Sequence, residues 1–378
     1  MSSSPTLGLL APGLPAASMA ARAQHCETVG YSGLWATSHF MGWVPEVLWS
    51  RHLPAAAGGP HDMLEPVAHL AALAMATERI RLGTVVIDPL TRHPALLAQS
   101  FLALHHLSGG RAVLGLGAGE AANTVPYGIA ATNMASRFEE AIEVIRLLWG
   151  GGEVSYDGRY FHLDRAVLGH IPGDGVLPPI WTGAHGPRLL RATGRLADGW
   201  IPSPMPLDDY RARLGVIREA AVAAGRDPSA ISPALFGYVV VADEAASAAA
   251  VLRHPLVRSF ALPLPAELFA RHGADHPLAK SGMSDLIPNR FSAAALDDAI
   301  AAVPDGLLEE VVLHGTPDEV RKQLGKYHDA GCRDVVLVNL VPLAAPASAR
   351  ASYRLLDELV ADLAATDTLA TTTGEVQP

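Results

Sequence analysis

Residues 80–119 read IRLGTVVIDPLTRHPALLAQSFLALHHLSGGRAVLGLGAG. The stretch opens and closes on short runs that are apolar at nearly every position, IRLGTVVID and RAVLGLGAG. Between them, HPALLAQSFLALHHL has helical spacing, with Pro94 in its first turn and Gly109-Gly110 just past its end. A strand that is apolar on both faces has to be covered on both faces. A helix joining two such strands allows them to lie side by side in parallel. The stretch therefore reads as one β-α-β unit.

The same alternation continues in both directions. Upstream lie the strand TLGLLAP, the helix PAASMAARAQHCETVG closing on Gly30, the strand SGLWATSHF, and the helix EPVAHLAALAMATER with Pro66 in its first turn. Downstream comes SRFEEAIEVIRLLW, in which Ser136 and Glu139 have capping-box spacing. It is followed by PPIWTGAHG, the helix PRLLRATGRLA, DGWIPSP, the helix LDDYRARLGVIREAAVAAG, ISPALFGYVVVAD, the helix TPDEVRKQLGKYHDAG and RDVVLVNL. Eight apolar strands alternating with helices predict an α/β protein, a (β/α)8 TIM barrel. A doubly wound open sheet is the alternative. No repeat or linker divides residues 1–363, which read as a single barrel domain. Stretches at about 151–177 and 253–304 are too long for simple connections and read as insertions at the C-terminal strand ends. Residues 364–378, ATDTLATTTGEVQP with its preceding alanine, read as a disordered tail.

Of 378 residues, 38 are Asp or Glu and 28 Lys or Arg, for a net charge of -10. That balance speaks against a nucleic-acid or anionic-membrane partner. Cys26 and Cys332 read as free, buried thiols of a reducing compartment, and the chain is placed in the cytoplasm. No C-x-x-C or H-x-H pair points to a metal, and no run reaches the roughly 18 apolar residues of a membrane span.

In a barrel, the C-terminal strand ends build the site. Strand two ends at Ser38-His39, and the aromatics Phe40 and Trp43 follow. Strand three ends at Val85, Val86 and Asp88, and strand four at Gly117, Gly119 and Glu120. Strand five runs into Gly183-Ala184-His185-Gly186-Pro187, a glycine-bearing turn at a helix start that suits a phosphate. Gly115, Gly117 and Gly119 alternate and do not match G-x-G-x-x-G; they fit something flat lying against the backbone. One rim thus carries a histidine, a carboxylate, a glycine platform and an anion-binding turn, which describes a phosphate-tailed planar cofactor beside acid-base residues. Met41, Trp43, Trp49 and Tyr127 suggest an apolar substrate pocket.

At TSHF with Trp43, GTVVIDPLTRHPALLAQSF, GRAVLGLGAGEAAN, RFEEAIEVIRLLW, GAHGPRLLRATGRLADGWIP and GTPDEVRKQLGKYHDAG, the sequence resembles the luciferase-like monooxygenase superfamily. The likeness is to the branch that uses the deazaflavin coenzyme F420, and within it to the phthiodiolone dimycocerosates ketoreductase subfamily. It runs from Leu7 to about Leu340. The resemblance implies F420 as cofactor, with FMN as the alternative, an apolar carbonyl or alcohol as substrate, and a homodimer. It implies that His39 lies beside the deazaflavin ring, that Trp43 covers the substrate, and that Glu120 gives or takes a proton. Val85-Val86 corresponds to a bulge that carries a non-prolyl cis peptide in relatives, and Gly183 to Pro187 to the phosphate turn. The chain departs at Ser38, where the family usually has aspartate, and at His185, where sugar-phosphate dehydrogenases of the branch usually have glycine. WIPSPMPLDDY also lacks the phosphate-binding lysine of those enzymes.

Overall fold

The structure, a computed structural model, describes residues 4–278 and 286–373. Its strands are β1 (Thr6–Leu10), β2 (Gly33–Ala36), β3 (Arg81–Thr84), β4 (Ala112–Leu116), β5 (Glu153–Asp157), β6 (His162–Val167), β7 (Ile180–Thr182), β8 (Gly199–Trp200), β9 (Ser232–Val241), β10 (Val312–Gly315) and β11 (Asp334–Asn339). Parallel pairing runs β11-β1-β2-β3-β4-β7-β8-β9, and β9 pairs with both β8 and β11, so the ring closes. This is the (β/α)8 barrel, and its eight strands are the eight apolar runs of the sequence.

Two elements depart from the expectation. β10, VLHG, is an extra strand outside the ring. β9 is ten residues long; Ser232-Pro233 pairs with β8 and Tyr238–Val241 with β10, so β10 takes over where β8 ends. The tail expected to be disordered from Ala364 begins as helix instead, because the final helix Ala349–Thr373 runs through it; residues 374–378 lie outside the described residues.

The barrel interior is plugged by Trp35 of β2 and Trp181 of β7, whose rings stack at 5.1 Å among Val85, Val113, Ile201, Ala234 and Val336. Glycine stands at 83 and 199 because a Cβ there would run into the two indoles. A second cluster forms the outer layer between strands and helices, and a third fills the cap made by the helix Glu46–His52 and the insertion after β9. The first insertion is the antiparallel hairpin β5-β6, whose turn is held by Glu140 accepting from the N–H groups of Arg159, Tyr160 and Phe161. Burial pushes the thiols of Cys26 and Cys332 up to about 11 and about 12. Neither thiol therefore supplies a thiolate at neutral pH.

The closest backbone approach lies just below the mouth. Thr84 donates to the Gly115 carbonyl at 2.8 Å and accepts from its N–H at 3.1 Å, and a Cβ on Gly115 would overlap the Thr84 carbonyl oxygen. Because the obstacle is backbone, it cannot swing aside. Gly115→Ala is therefore expected to lower stability by about 2 kcal/mol, as overpacked core substitutions do. A urea-unfolding midpoint equal to that of the wild type would contradict this.

Candidate active site

The alternation of inward and outward side chains carries β2 from buried Trp35 to a polar end, and there the chain turns outward as Ser38-His39. Across β3, the segment after β4 leads from Glu120 into the short helix Ala121–Thr124. The two segments meet. His39 Nδ1 lies 2.6 Å from Glu120 Oε1, with side chains 18% and 12% exposed, so the pair is recessed yet reachable from the mouth. Asn123, which sequence reasoning missed, ties them together. Its amide donates to Glu120 Oε1 at 2.6 Å and to the Ser38 carbonyl at 3.0 Å, and its Oδ1 accepts from the Phe40 N–H at 2.9 Å.

This network fixes the tautomer. A carboxylate only accepts, so at 2.6 Å the proton between the partners sits on His39 Nδ1. Asn123 Nδ2 also lies 3.1 Å from Nδ1, but its two hydrogens are used on Glu120 and Ser38. Nε2 makes no hydrogen bond among the described residues and is left for a ligand. Burial alone would depress the imidazole; the Glu120 charge, its hydrogen bond and the Asp88 charge together outweigh that and raise His39 above its ordinary value. Trp43 stands edge-on to the imidazole at 6.1 Å.

The other expected residues divide. The Val85–Val86 peptide is cis, as the resemblance implies. The Val86 side chain lies against Gly117 and Gly183, where a Cβ on either glycine would crowd it. The clearance expected for a flat ligand is thus filled in part by the chain's own valine, which becomes the floor of the mouth. Gly119 is left-handed, with φ 96°, and lies against Leu90 and Asp88. Asp88 is committed inward. It accepts from the N–H groups of Leu90 and Thr91, both at 2.8 Å, and from the Thr91 hydroxyl at 3.1 Å; burial raises it and these bonds pull it back. Ser38 Oγ accepts from Arg92 at 3.2 Å, and Arg92 reaches on to Glu65 at 2.9 Å.

On the far side, Gly186 caps the helix Pro187–Leu196 with no side-chain bond. The N–H groups of His185, Gly186, Arg188 and Leu189 make no hydrogen bond among the described residues. These are the free donors that a phosphate takes at a helix start. Ala184 accepts from the Trp200 indole at 2.8 Å, which anchors the turn. The His185 side chain faces away, between Arg213 at 3.1 Å and the Ser203 hydroxyl at 2.9 Å. Arg213 only donates, so Nδ1 accepts; Nε2 faces both the Ser203 hydroxyl and the Ser203 N–H, the latter at 3.2 Å. Burial first and the Arg213 charge second push His185 down to about 4, so it is neutral.

Of the expected pocket residues, Met41 meets Asn289 of the insertion at 3.9 Å and Tyr127 packs on Phe40 at 4.7 Å. Trp49 donates to the Gly58 carbonyl at 2.8 Å and packs within the cap. The described residues contain no group of three or more His, Cys, Asp or Glu that could hold a metal, and no helix long and apolar enough to cross a membrane.

The sequence matches the family model described as luciferase-like monooxygenase over residues 3–334. It is 40% identical over 340 residues to the phthiodiolone/phenolphthiodiolone dimycocerosates ketoreductase of Mycobacterium tuberculosis, covering 87% of this chain and 88% of that protein. The fold is similar to that of an F420-dependent secondary alcohol dehydrogenase solved with an F420–acetone adduct, at TM-score 0.73 and 21% identity over 94% of this chain and 98% of that one. It is also similar to the oxygenating constituent of 3,6-diketocamphane monooxygenase from Pseudomonas putida, solved with FMN, at TM-score 0.65 and 20% identity over 95% and 98%. With the closed barrel, the matched 3–334 span and the 40% identity, the chain belongs to the luciferase-like monooxygenase family.

Proposed function

We propose that this oxidoreductase of the luciferase-like family binds reduced coenzyme F420 and reduces the carbonyl of an apolar ketone, or runs the reverse reaction on the alcohol. The observation that carries the reading is the buried His39–Glu120–Asn123 cluster, which holds a raised imidazole with its Nε2 open at the barrel mouth. Two features of the chain fit the cofactor: the Val86 floor between Gly117 and Gly183, and the uncapped helix start with its free N–H groups. The relative that is 40% identical is named as a ketoreductase, which favours carbonyl chemistry over oxygen insertion. F420 is favoured over FMN by the motifs shared with the F420 branch.

When bound, reduced F420 supplies a hydride. The protein supplies the rest. Val86, Gly117 and Gly183 would form the wall for a planar group, and the N–H groups of His185, Gly186, Arg188 and Leu189 would meet a phosphate. His39 Nε2, in the imidazolium form that the Glu120 charge favours, donates to the carbonyl oxygen and passes it a proton as the alcohol forms. Glu120 holds the resulting imidazole by Nδ1, and Trp43 closes the apolar side. General acid catalysis of this kind is worth about 10²–10⁴-fold.

Titration separates the cofactors. The protein is expected to quench F420 fluorescence with an affinity at least tenfold tighter than for FMN. Gly186→Asp sharpens the test. Gly186 has φ -73° and ψ 154°, and a Cβ there meets nothing within 4 Å, so aspartate fits as a helix cap and holds or slightly raises Tm. Its carboxylate lies where the phosphate is read, and F420 affinity is expected to fall more than tenfold. Tighter FMN binding, or an unchanged affinity in the variant, would refute the cofactor or its placement respectively.

A further inference from the structure

In the ring of strands, β3 and β9 stand diametrically opposite, each four steps from the other in the order β1, β2, β3, β4, β7, β8, β9, β11. β3 leads through Val85 to Val86, the floor against which a planar group would lie. On β9, side chains alternate, and those of Ala234, Phe236 and Tyr238 share the inward face. Ala234 lies within the Trp35–Trp181 plug and Phe236 packs on it. Tyr238, one step higher, therefore reaches the mouth. There it packs against Phe236 at 5.9 Å and against Phe260 of the insertion at 5.1 Å, and joins the cap cluster that also takes in Trp43.

The ring is fixed by packing that a phenylalanine would satisfy equally well. The residue is half-buried, and its hydroxyl makes no hydrogen bond among the described residues. Tyr238 lines a cavity of about 40 Å³, with Phe260, Leu264, Pro265 and Leu268 on one side and His185, Ser203, Asp209 and Arg213 on the other. Burial, with a smaller contribution from the Glu120 charge across the mouth, raises the phenol well above its ordinary value. It therefore keeps its proton and remains a donor.

We propose that the Tyr238 hydroxyl is a substrate-binding group that donates a hydrogen bond to the substrate oxygen from the wall facing Val86, while the apolar side of the recess beside it, at Phe260, Leu264 and Leu268, receives one alkyl arm. A carbonyl oxygen has two lone pairs. His39 Nε2 takes one and Tyr238 the other, which turns the carbonyl carbon toward the Val86 wall. The assignment rests on the ketone-reduction reading.

The test is Tyr238→Phe, which keeps the ring and removes a hydroxyl with no partner among the described residues, so Tm is expected to stay within a degree or two. The affinity of the protein for 2-heptanone, measured by calorimetry with F420 present and absent, is expected to fall about tenfold, the scale of one hydrogen bond. The affinity for the oxygen-free 1-chloroheptane is expected not to change. Equal ketone affinity in both proteins, an equal loss for both ligands, or no ketone binding by the wild type would overturn the assignment. F420 quenching by the wild type is read separately in the same titrations. Its absence would refute the cofactor reading, and the ketone comparison would still decide Tyr238.

Discussion

His39→Ala is expected to cut turnover with reduced F420 and a ketone by about 10²-fold or more, the range of a lost proton donor, with little change in Tm at alkaline pH, above the raised value of His39. The structure gives the reason for both halves. His39 Nε2 has no partner to lose among the described residues, and the imidazole sits at the rim with 18% of its side chain exposed. Only its Nδ1 bond to Glu120 disappears, and Glu120 keeps the Asn123 amide at 2.6 Å. The competing reading makes His39 a structural residue that merely satisfies Glu120. Its removal would then cost about 1–3 kcal/mol through an unpaired partner and leave turnover per folded molecule intact. Both quantities come from one purified sample. A variant that is destabilised but fully active would return His39 to a structural role.

The barrel was legible because each of its eight strands is buried on both faces. The apolar runs therefore stand out whatever their length, even where β8 shrinks to Gly199–Trp200. β10 was not legible: its four residues follow the helix Asp305–Val311 without a break, and His314 interrupts the apolar run. The helix beyond Ala364 was missed because ATDTLATTT has no apolar stripe of its own and continues a helix begun at Ala349. At the site, His39 and Glu120 could be singled out because polar residues at the end of apolar strands are conspicuous. Asn123 was not, since a polar residue in a turn reads as solvated until Ser38 and Phe40 are brought against it. Tyr238 was hidden for the opposite reason. In ISPALFGYVVVAD every residue reads as core, and only the closure of the ring shows which face looks into the mouth.

Glu120→Gln isolates the charge of the pair. Glutamine keeps an oxygen to accept from both Asn123 and His39 Nδ1, so the geometry at 2.6 Å is retained while the negative charge is removed. Burial, which depresses His39, then meets only the weaker pull of Asp88. The imidazole therefore falls, and its protonated form disappears at a lower pH. In the wild type, ketone reduction is expected to fade as pH rises through the raised value of His39. In the variant, that alkaline limb is expected to move toward acid by about 1–2 pH units, the usual effect of one adjacent charge. Above both limbs turnover would be about 10–10²-fold lower, and at pH values below both it would largely recover. Stability follows the same sign. A histidine raised on folding stabilises the protein below its unfolded value near 6.5, and that contribution is lost as pH rises through the folded value. Glu120→Gln is therefore expected to lower Tm more at pH 6 than at pH 9. A uniform loss of turnover at every pH, with the limb in place, would show that Glu120 acts on the substrate directly and not through the imidazole.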